Sequence, residues 1–410
     1  MGPSRLAAQK TITAFSLYLL LFSGWSLAQE GASVAVSSFL DKSTLARAGS
    51  ELGAEATVSN SRATFDVDGA SVTGTVSMLE RINELQAVAT LNAMKKTDVY
   101  VDAVKNSAKA PINYGKSLVN EPVDTVSNTV KGLGGFLADV GYSVVSDDPS
   151  QENVAKTGLG HATAKRKFAF QLGVNPYSRY EPLQDALNEV SWAATGGGLT
   201  VGAAFRAVKN TPGSVLTTTR IANTGRVMVR DNSPRKLKNL NEEKLLAMGV
   251  RQSLVDAQLD NYNYDPEAET RLVTSLASME GVSGRADMIS RSSLATSHRA
   301  ADEMRDWVEL LAAWHEQVKP AVAIVIVDAV PMLVDKNGSA HGIFPTDYVR
   351  MTDDTGVAIR NITAAVKAAG YAPGSIYVTG KIDPAVRKIL TESGWTEVKD
   401  YAGKILRSAS

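Results

Sequence analysis

Not one cysteine occurs in the 410 residues of this chain, and that absence narrows what it can fold into more than any other single feature. No disulfide can staple it, no thiolate can serve as nucleophile, and Cys-ligated zinc or iron–sulfur sites are excluded. Stability must come from burial. The length exceeds what one hydrophobic core usually organises, so two or three domains are expected.

The first thirty residues carry an address. Arg5 and Lys10 precede the apolar stretch from Thr11 to Phe22, and no acidic residue occurs before Glu30. Gly24 breaks the run, and Ser26-Leu27-Ala28 puts small residues at the two positions that signal peptidase reads, so cleavage is expected between Ala28 and Gln29. A retained anchor is disfavoured because the apolar run falls short of the ~20 residues that span a bilayer. A lipid anchor has no cysteine to use. The longest later apolar run, Ala321 to Val334, is interrupted by Asp328 and Pro331 and reads as buried strand. The expected location is therefore the periplasm or the medium, free of lipid anchor and transmembrane helix. With 43 basic and 43 acidic residues overall, and Arg5 and Lys10 lost on cleavage, no nucleic-acid partner is expected.

The expected fold class is α+β and mostly helical, with a small N-terminal antiparallel β-element, a helical middle and a C-terminal α/β module. Residues 1–28 form the signal peptide and 29–53 read as a flexible leader. Ala56-Val58, Ala63-Phe65-Val67 and Val72 alternate with polar residues around turns at Ser59-Asn60-Ser61 and Asp68-Gly69. From Ser77 to Lys109, Leu79, Ile82, Leu85, Val88, Ala89 and Ala93 predict one long amphipathic helix. Val119, Val123, Val126, Val130, Leu133, Leu137 and Val140 then recur in steps of four and three. That face either packs on the first helix as a hairpin, completing a unit over 54–148, or docks on a partner or a membrane surface.

A linker is expected over 149–160 and a helical domain over 161–318. Lys165, Arg166 and Lys167 read as a solvated helix face. Leu183, Leu187, Val190 and Ala194 start a further helix, and Asn241, Ser253 and Ser297 are expected N-caps. Over 319–410 the pattern changes to strands and helices in alternation. Asp335-Lys336-Asn337-Gly338 signals a hairpin, Asp353 or Asp354 caps a helix over Val357 to Ala369, Asp383-Pro384 opens another, and Ile376 to Val378 and Trp395 to Val398 are strands.

Chemistry is sparse. His161, His298, His315 and His341 form no HExxH, so no metal is expected. Asp66-Val67-Asp68-Gly69 and Asp335 to Gly338 begin like calcium loops but have Ser77 and Thr346 at the twelfth position. Ser233-Pro234-Arg235-Lys236 has the spacing of a serine-acylating motif yet sits in a helix-capping context. Gly196-Gly197-Gly198 lacks the Lys-Ser/Thr of a phosphate loop. No cofactor is expected.

Several segments resemble a group of exported bacterial proteins with no assigned activity. They are Ala89 to Pro122 with Glu121 to Val126, Gly173 to Tyr177 before a helix ending in Trp192, Ala247 to Val250, Met279 to Arg285, Val378-Thr379-Gly380 and Gly394-Trp395. The resemblance implies no catalytic residues. The leading expectation is a non-catalytic interaction or structural protein of the cell envelope, binding an envelope partner or itself. One alternative is a periplasmic enzyme built from Asp328, Asp335, His341, Asp347 and Asp353; the other is a peripheral membrane protein acting through the Val119 to Val140 face.

Overall fold

The computed structural model of the chain describes residues 31–40, 42–59, 61–109, 149–208 and 220–400. Within them the protein is α+β and mostly helical, with an antiparallel sheet at the N-terminal end and a mixed sheet at the C-terminal end.

The first sheet is a meander of β1 (Ala32–Ala35), β2 (Leu52–Ser59), β3 (Arg62–Val67) and β4 (Ala70–Thr73). Alternation puts Ala56, Val58, Ala63, Phe65 and Val67 on its inner face, against Met78, Leu79 and Ile82 of α2 (Thr75–Lys95). The Asp68-Gly69 turn has two positive φ angles, 54° and 72°, the conformation whose twist suits a two-residue hairpin. The expected flexible leader is largely ordered from Gly31 onward. Ala32 pairs with Val58 and Ala35 with Glu55, Val36 is buried, and a short helix α1 (Lys42–Ala48) follows. The open edge of β2 supplies partners that the local sequence does not reveal.

The single helix expected over Ser77 to Lys109 is two: α2, then α3 (Asp98–Lys109). Thr97 makes the break, its hydroxyl accepting from the Tyr100 amide at 3.4 Å at the start of the new helix. The segment 149–160, expected to be a linker, is the first half of α4 (Pro149–Leu172). Pro149 suits the first helical position and no later proline interrupts; Gly158 and Gly160 each cost about 1 kcal/mol, less than the packing of the far end against α5 (Glu181–Gly197) returns. Leu91, Met94, Phe168, Leu183, Leu187 and Val190 form this part of the core, which a short α6 (Val201–Ala207) covers.

Six further helices follow: α7 (Arg220–Asp231), α8 (Pro234–Ala247), α9 (Gln252–Leu259), α10 (Pro266–Ser278), α11 (Arg285–Ser292) and α12 (His298–Gln317). Ser297 caps α12 as expected, accepting from Ala300 at 3.2 Å. Asn241 is not a cap. It is buried inside α8, donating to Thr270 Oγ1 at 3.1 Å, and Ser233 caps that helix. Ser253 likewise lies inside α9, which Arg251 precedes. Helix α10 is buried from Glu267 through Leu276 on every side.

The C-terminal sheet runs β11-β9-β7-β6-β5, with β5 (Ala321–Val327), β6 (Val330–Asp335) and β7 (Ser339–Phe344) antiparallel and β7, β9 (Ala372–Val378) and β11 (Glu397–Asp400) parallel. The run Ala321 to Val334 thus holds two strands, turned at Asp328-Ala329. A two-stranded parallel pair, β8 (Tyr348–Val349) with β10 (Lys381–Ile382), lies beyond the parallel strand ends. Both parallel crossovers move the same way across the sheet, so the right-handed rule puts α13 (Asp353–Ala368) and α14 (Pro384–Glu392) on one face. Ile359, Ile362, Val366, Val386 and Leu390 of these helices meet Met332, Ile376 and Val378 there. On the other face Leu333, Ile343 and Tyr377 meet Trp307, Leu311 and Trp314 of α12, so the helical core continues into the module without a break. Thr352, rather than Asp353 or Asp354, caps α13, accepting from Thr355 at 3.1 Å. Trp395, expected in the last strand, precedes it and is buried, donating to Thr363 at 2.9 Å.

Candidate functional site

The five residues that the sequence offers as an active site are dispersed, with one exception. Asp335 ends β6, and its carboxylate accepts from the amides of Asn337 and Ser339 at 2.8 and 3.1 Å, closing the Asn337-Gly338 hairpin. The same carboxylate takes the Lys319 ammonium and lies 3.2 Å from Nε2 of His341. Nδ1 of His341 accepts from the Ser375 amide at 3.0 Å, so the ring proton sits on Nε2 and points at Asp335. Burial opposes the charge on Asp335, but these four donors outweigh it and hold the carboxyl well below the usual carboxylate range. The imidazole lies against Trp314 at 4.7 Å and is buried. An Asp–His pair with both ring nitrogens occupied has no lone pair left to take a substrate proton.

Asp347 faces elsewhere, accepting from the amides of Ala63 and Thr75 at 2.9 and 2.8 Å. Asp328 stands in the β5–β6 turn at φ 48°, and Asp353 is in the first turn of α13. The other histidines are also engaged. His161 stacks on Trp192 at 4.3 Å with Nε2 by the Asn188 carbonyl, and burial pushes its pKa down to about 4. His298 binds the Asn263 carbonyl at 2.8 Å, and Nδ1 of His315 accepts from Ala321 at 3.0 Å. Among the described residues no three His, Asp or Glu side chains are placed to hold a metal ion. Ser233 serves as a helix cap, and Gly198 closes α5 at φ 74°. The candidate face Val119, Val123, Val126, Val130, Leu133, Leu137 and Val140 lies outside the described residues.

Two features escaped the sequence reading. The first is a charge network buried among α2, α10 and α12. Arg271 makes a two-pronged bond to Glu309, at 2.7 and 2.9 Å, and reaches Glu80 at 3.3 Å and Glu267 at 3.5 Å. Arg305 joins the same Glu80 at 3.2 Å, with Asp302 at 3.2 Å and Asp306 at 2.8 Å. Its only trace in the sequence is a charge inside the small and apolar run from Thr270 to Leu276. The expected solvated face of Lys165, Arg166 and Lys167 is corrected likewise: only Lys167 is exposed, Arg166 is buried, and burial lowers Lys165 to about 8.

This packing makes stability pH-dependent with a definite sign. Burial pushes Glu267 up to about 7 against the pull of Arg226 and Arg271, and Glu269 up to about 8. An acid whose folded pKa is raised favours the folded state below its unfolded pKa, and that contribution is lost as pH rises through the folded value. The thermal midpoint is expected to fall between about pH 5 and pH 8.5. Scanning calorimetry across that range checks it, and Glu269→Gln should flatten the upper half of the decline.

The second feature is a stitched surface loop. Asn261 donates to the carbonyls of Ser293 and Ala295 at 3.1 and 3.0 Å, Asn263 donates to Ala295 at 2.9 Å, and the Tyr264 hydroxyl donates to Ser292 at 3.0 Å. Between these anchors Tyr262 is 82% exposed and Leu294 63% exposed. Rigid backbone here presents apolar side chains to solvent instead of folding them inward.

No described helix is long and apolar enough to cross a membrane. Compared with known proteins, the chain matches no family model, no curated protein and no solved structure.

Proposed function

We propose that this is an exported, non-catalytic interaction protein of the cell envelope, docking a protein partner through the Tyr262 and Leu294 surface. The observation that carries the reading is the stitched loop. Exposed aromatic anchors on pre-organised backbone lose little entropy on binding, and Tyr is enriched among residues that dominate interface energies. Two facts support the non-catalytic half. His341 spends both nitrogens inside the fold, and the carboxyl ends of the parallel strands, where open α/β sheets hold ligands, are covered by the N-terminal β-element through Asp347. Export rests on the basic and apolar leader with Ala28 at the expected cut.

A photo-crosslinking residue at position 262 is expected to give one discrete adduct in producing cells, lost in a Leu294→Asp background. The same residue at the exposed position 388 of α14 should give none. Absence of an adduct at 262, or equal labelling at 388, would reject the docking surface. Mass spectrometry of the envelope fraction should find Gln29 as the first residue; a chain retained in the cytoplasm with its leader intact would reject export.

A further inference from the structure

Strand β5 ends the C-terminal sheet, and its residues, Ala321-Val322-Ala323-Ile324-Val325-Ile326-Val327, include no charge, proline or glycine. An apolar, β-branched edge of this kind is a template for a further strand. Val327 and Val330 flank the Asp328-Ala329 turn, so they exchange both ladder bonds, and Val325 does the same with Met332. The peptide groups of Val322, Ile324 and Ile326 consequently point away from β6. Pro331, which has no amide to give, stands opposite Ile326, as that alternation requires.

A dipeptide from outside the sheet closes part of this edge. The Ser283 amide donates to the Val322 carbonyl at 3.1 Å and the Ile324 amide donates to the Ser283 carbonyl at 2.8 Å, a single parallel bridge that goes no further. It stops because Gly284 turns left-handed, at φ 80°, and opens α11. Gly284 lies so close over β5 that a Cβ there would run into the Ile324 carbonyl, which only glycine avoids. Met279 and Val282 before the dipeptide, and Met288 and Ile289 after it, are buried in the core that also takes Ile324, so it is held from both ends. Beside it Val322 is 47% exposed, and Ile326 lies beyond the bridge.

We propose that Ser283-Gly284 is a stopper that keeps β5 from pairing, edge to edge, with β5 of a second copy of this chain. The strand itself selects that occupant. Its outward groups at Val322, Ile324 and Ile326 repeat every second residue, so two such strands related by a two-fold axis pair antiparallel through the same groups. Neither brings a charge that would repel the other. With the stopper seated, only the stub of edge at Ile326 is left, too short for a stable pairing. The proposal stands apart from the docking reading, since Tyr262 and Leu294 take no part in it.

Sedimentation velocity of the full chain tests it. Gly284→Val puts a branched side chain at the left-handed position and against the Ile324 carbonyl, so it should lift the stopper and shift the protein from its wild-type species to a dimer or larger. Adding Val322→Lys sets a charge on the pairing edge and should return the variant to the wild-type species. Leu246→Lys, at another exposed apolar position but on α8, should not. Hydrogen exchange of the wild type decides the matter if Gly284→Val fails to fold: the Ile324 amide should be protected through Ser283, and the Ile326 amide should exchange faster. An unchanged sedimentation profile in folded Gly284→Val, reversal by neither lysine or by both, or an Ile326 amide protected as strongly as that of Ile324 would each overturn the proposal.

Discussion

Replacing Arg271 with Met is expected to lower the unfolding free energy by about 3–5 kcal/mol, read from urea denaturation at pH 8. The loss comes from what the substitution strands rather than from what it removes. Glu309 would keep its half-buried position without the two-pronged bond at 2.7 and 2.9 Å, and the buried Glu267 would lose one of its two cations. Glu80 is the least affected, because Arg305 still reaches it at 3.2 Å. The distinction gives the experiment an internal control. Arg271→Met combined with Glu309→Met removes both ends of the strongest pair and should recover most of the loss, since well-packed apolar side chains replace buried ion pairs at little cost. The single variant should also suffer less near pH 5, where a stranded carboxyl can shed its charge by taking a proton. A loss below about 1 kcal/mol at pH 8 would place the network among exposed salt bridges of small worth.

What the sequence made legible was local. Ser297 before a helix, Asp383-Pro384 opening another and Asn337-Gly338 between strands each carry their own chemistry, and each stands where expected. The alternation from Ala56 to Val72 likewise described the N-terminal sheet, because period two is imposed by the strand itself. The misses are the places where a distant residue decides. Asn241 looks like a cap until Thr270 takes its amide, and the 328–329 turn adopts two positive φ angles without glycine or asparagine. Arg271 and Glu80 are 191 positions apart, so nothing in either neighbourhood says that a charge will be buried there. The same holds at the candidate active site. Asp335 and His341 do meet, across a hairpin six residues long, but the Ser375 amide that occupies the second imidazole nitrogen arrives from a strand that the hairpin does not contain.

Asp347→Ala is expected to cost about 2–5 kcal/mol and to loosen one end of the molecule in preference to the rest. Its carboxylate accepts the Ala63 amide in β3 and the Thr75 amide in the first turn of α2, where the helix dipole favours negative charge, and Arg62 lies 3.7 Å away. The backbone of the same loop adds two bonds to the Ser61 carbonyl, from Asp347 at 2.9 Å and Tyr348 at 3.2 Å, and Arg62 returns one to the Pro345 carbonyl. Removing the carboxylate leaves the Ala63 and Thr75 amides without their acceptor and takes one of two carboxylates from Arg62, which keeps Glu303 at 3.5 Å, so the losses fall on the N-terminal element. Hydrogen exchange should therefore quicken at β2, β3 and the start of α2, while amides in the middle of α10 keep their protection. Asp347→Asn retains one acceptor oxygen and should fall between the two. This loop follows β7 at the carboxyl edge of the parallel strands, and the Gly380 and Lys381 amides bind its carbonyls at 2.7 and 2.9 Å. The N-terminal sheet thus occupies the crevice that such a sheet ordinarily offers to a ligand. If exchange rises uniformly through α10 and the C-terminal sheet instead, the element is part of one cooperative core and the clasp at Asp347 has no separate existence.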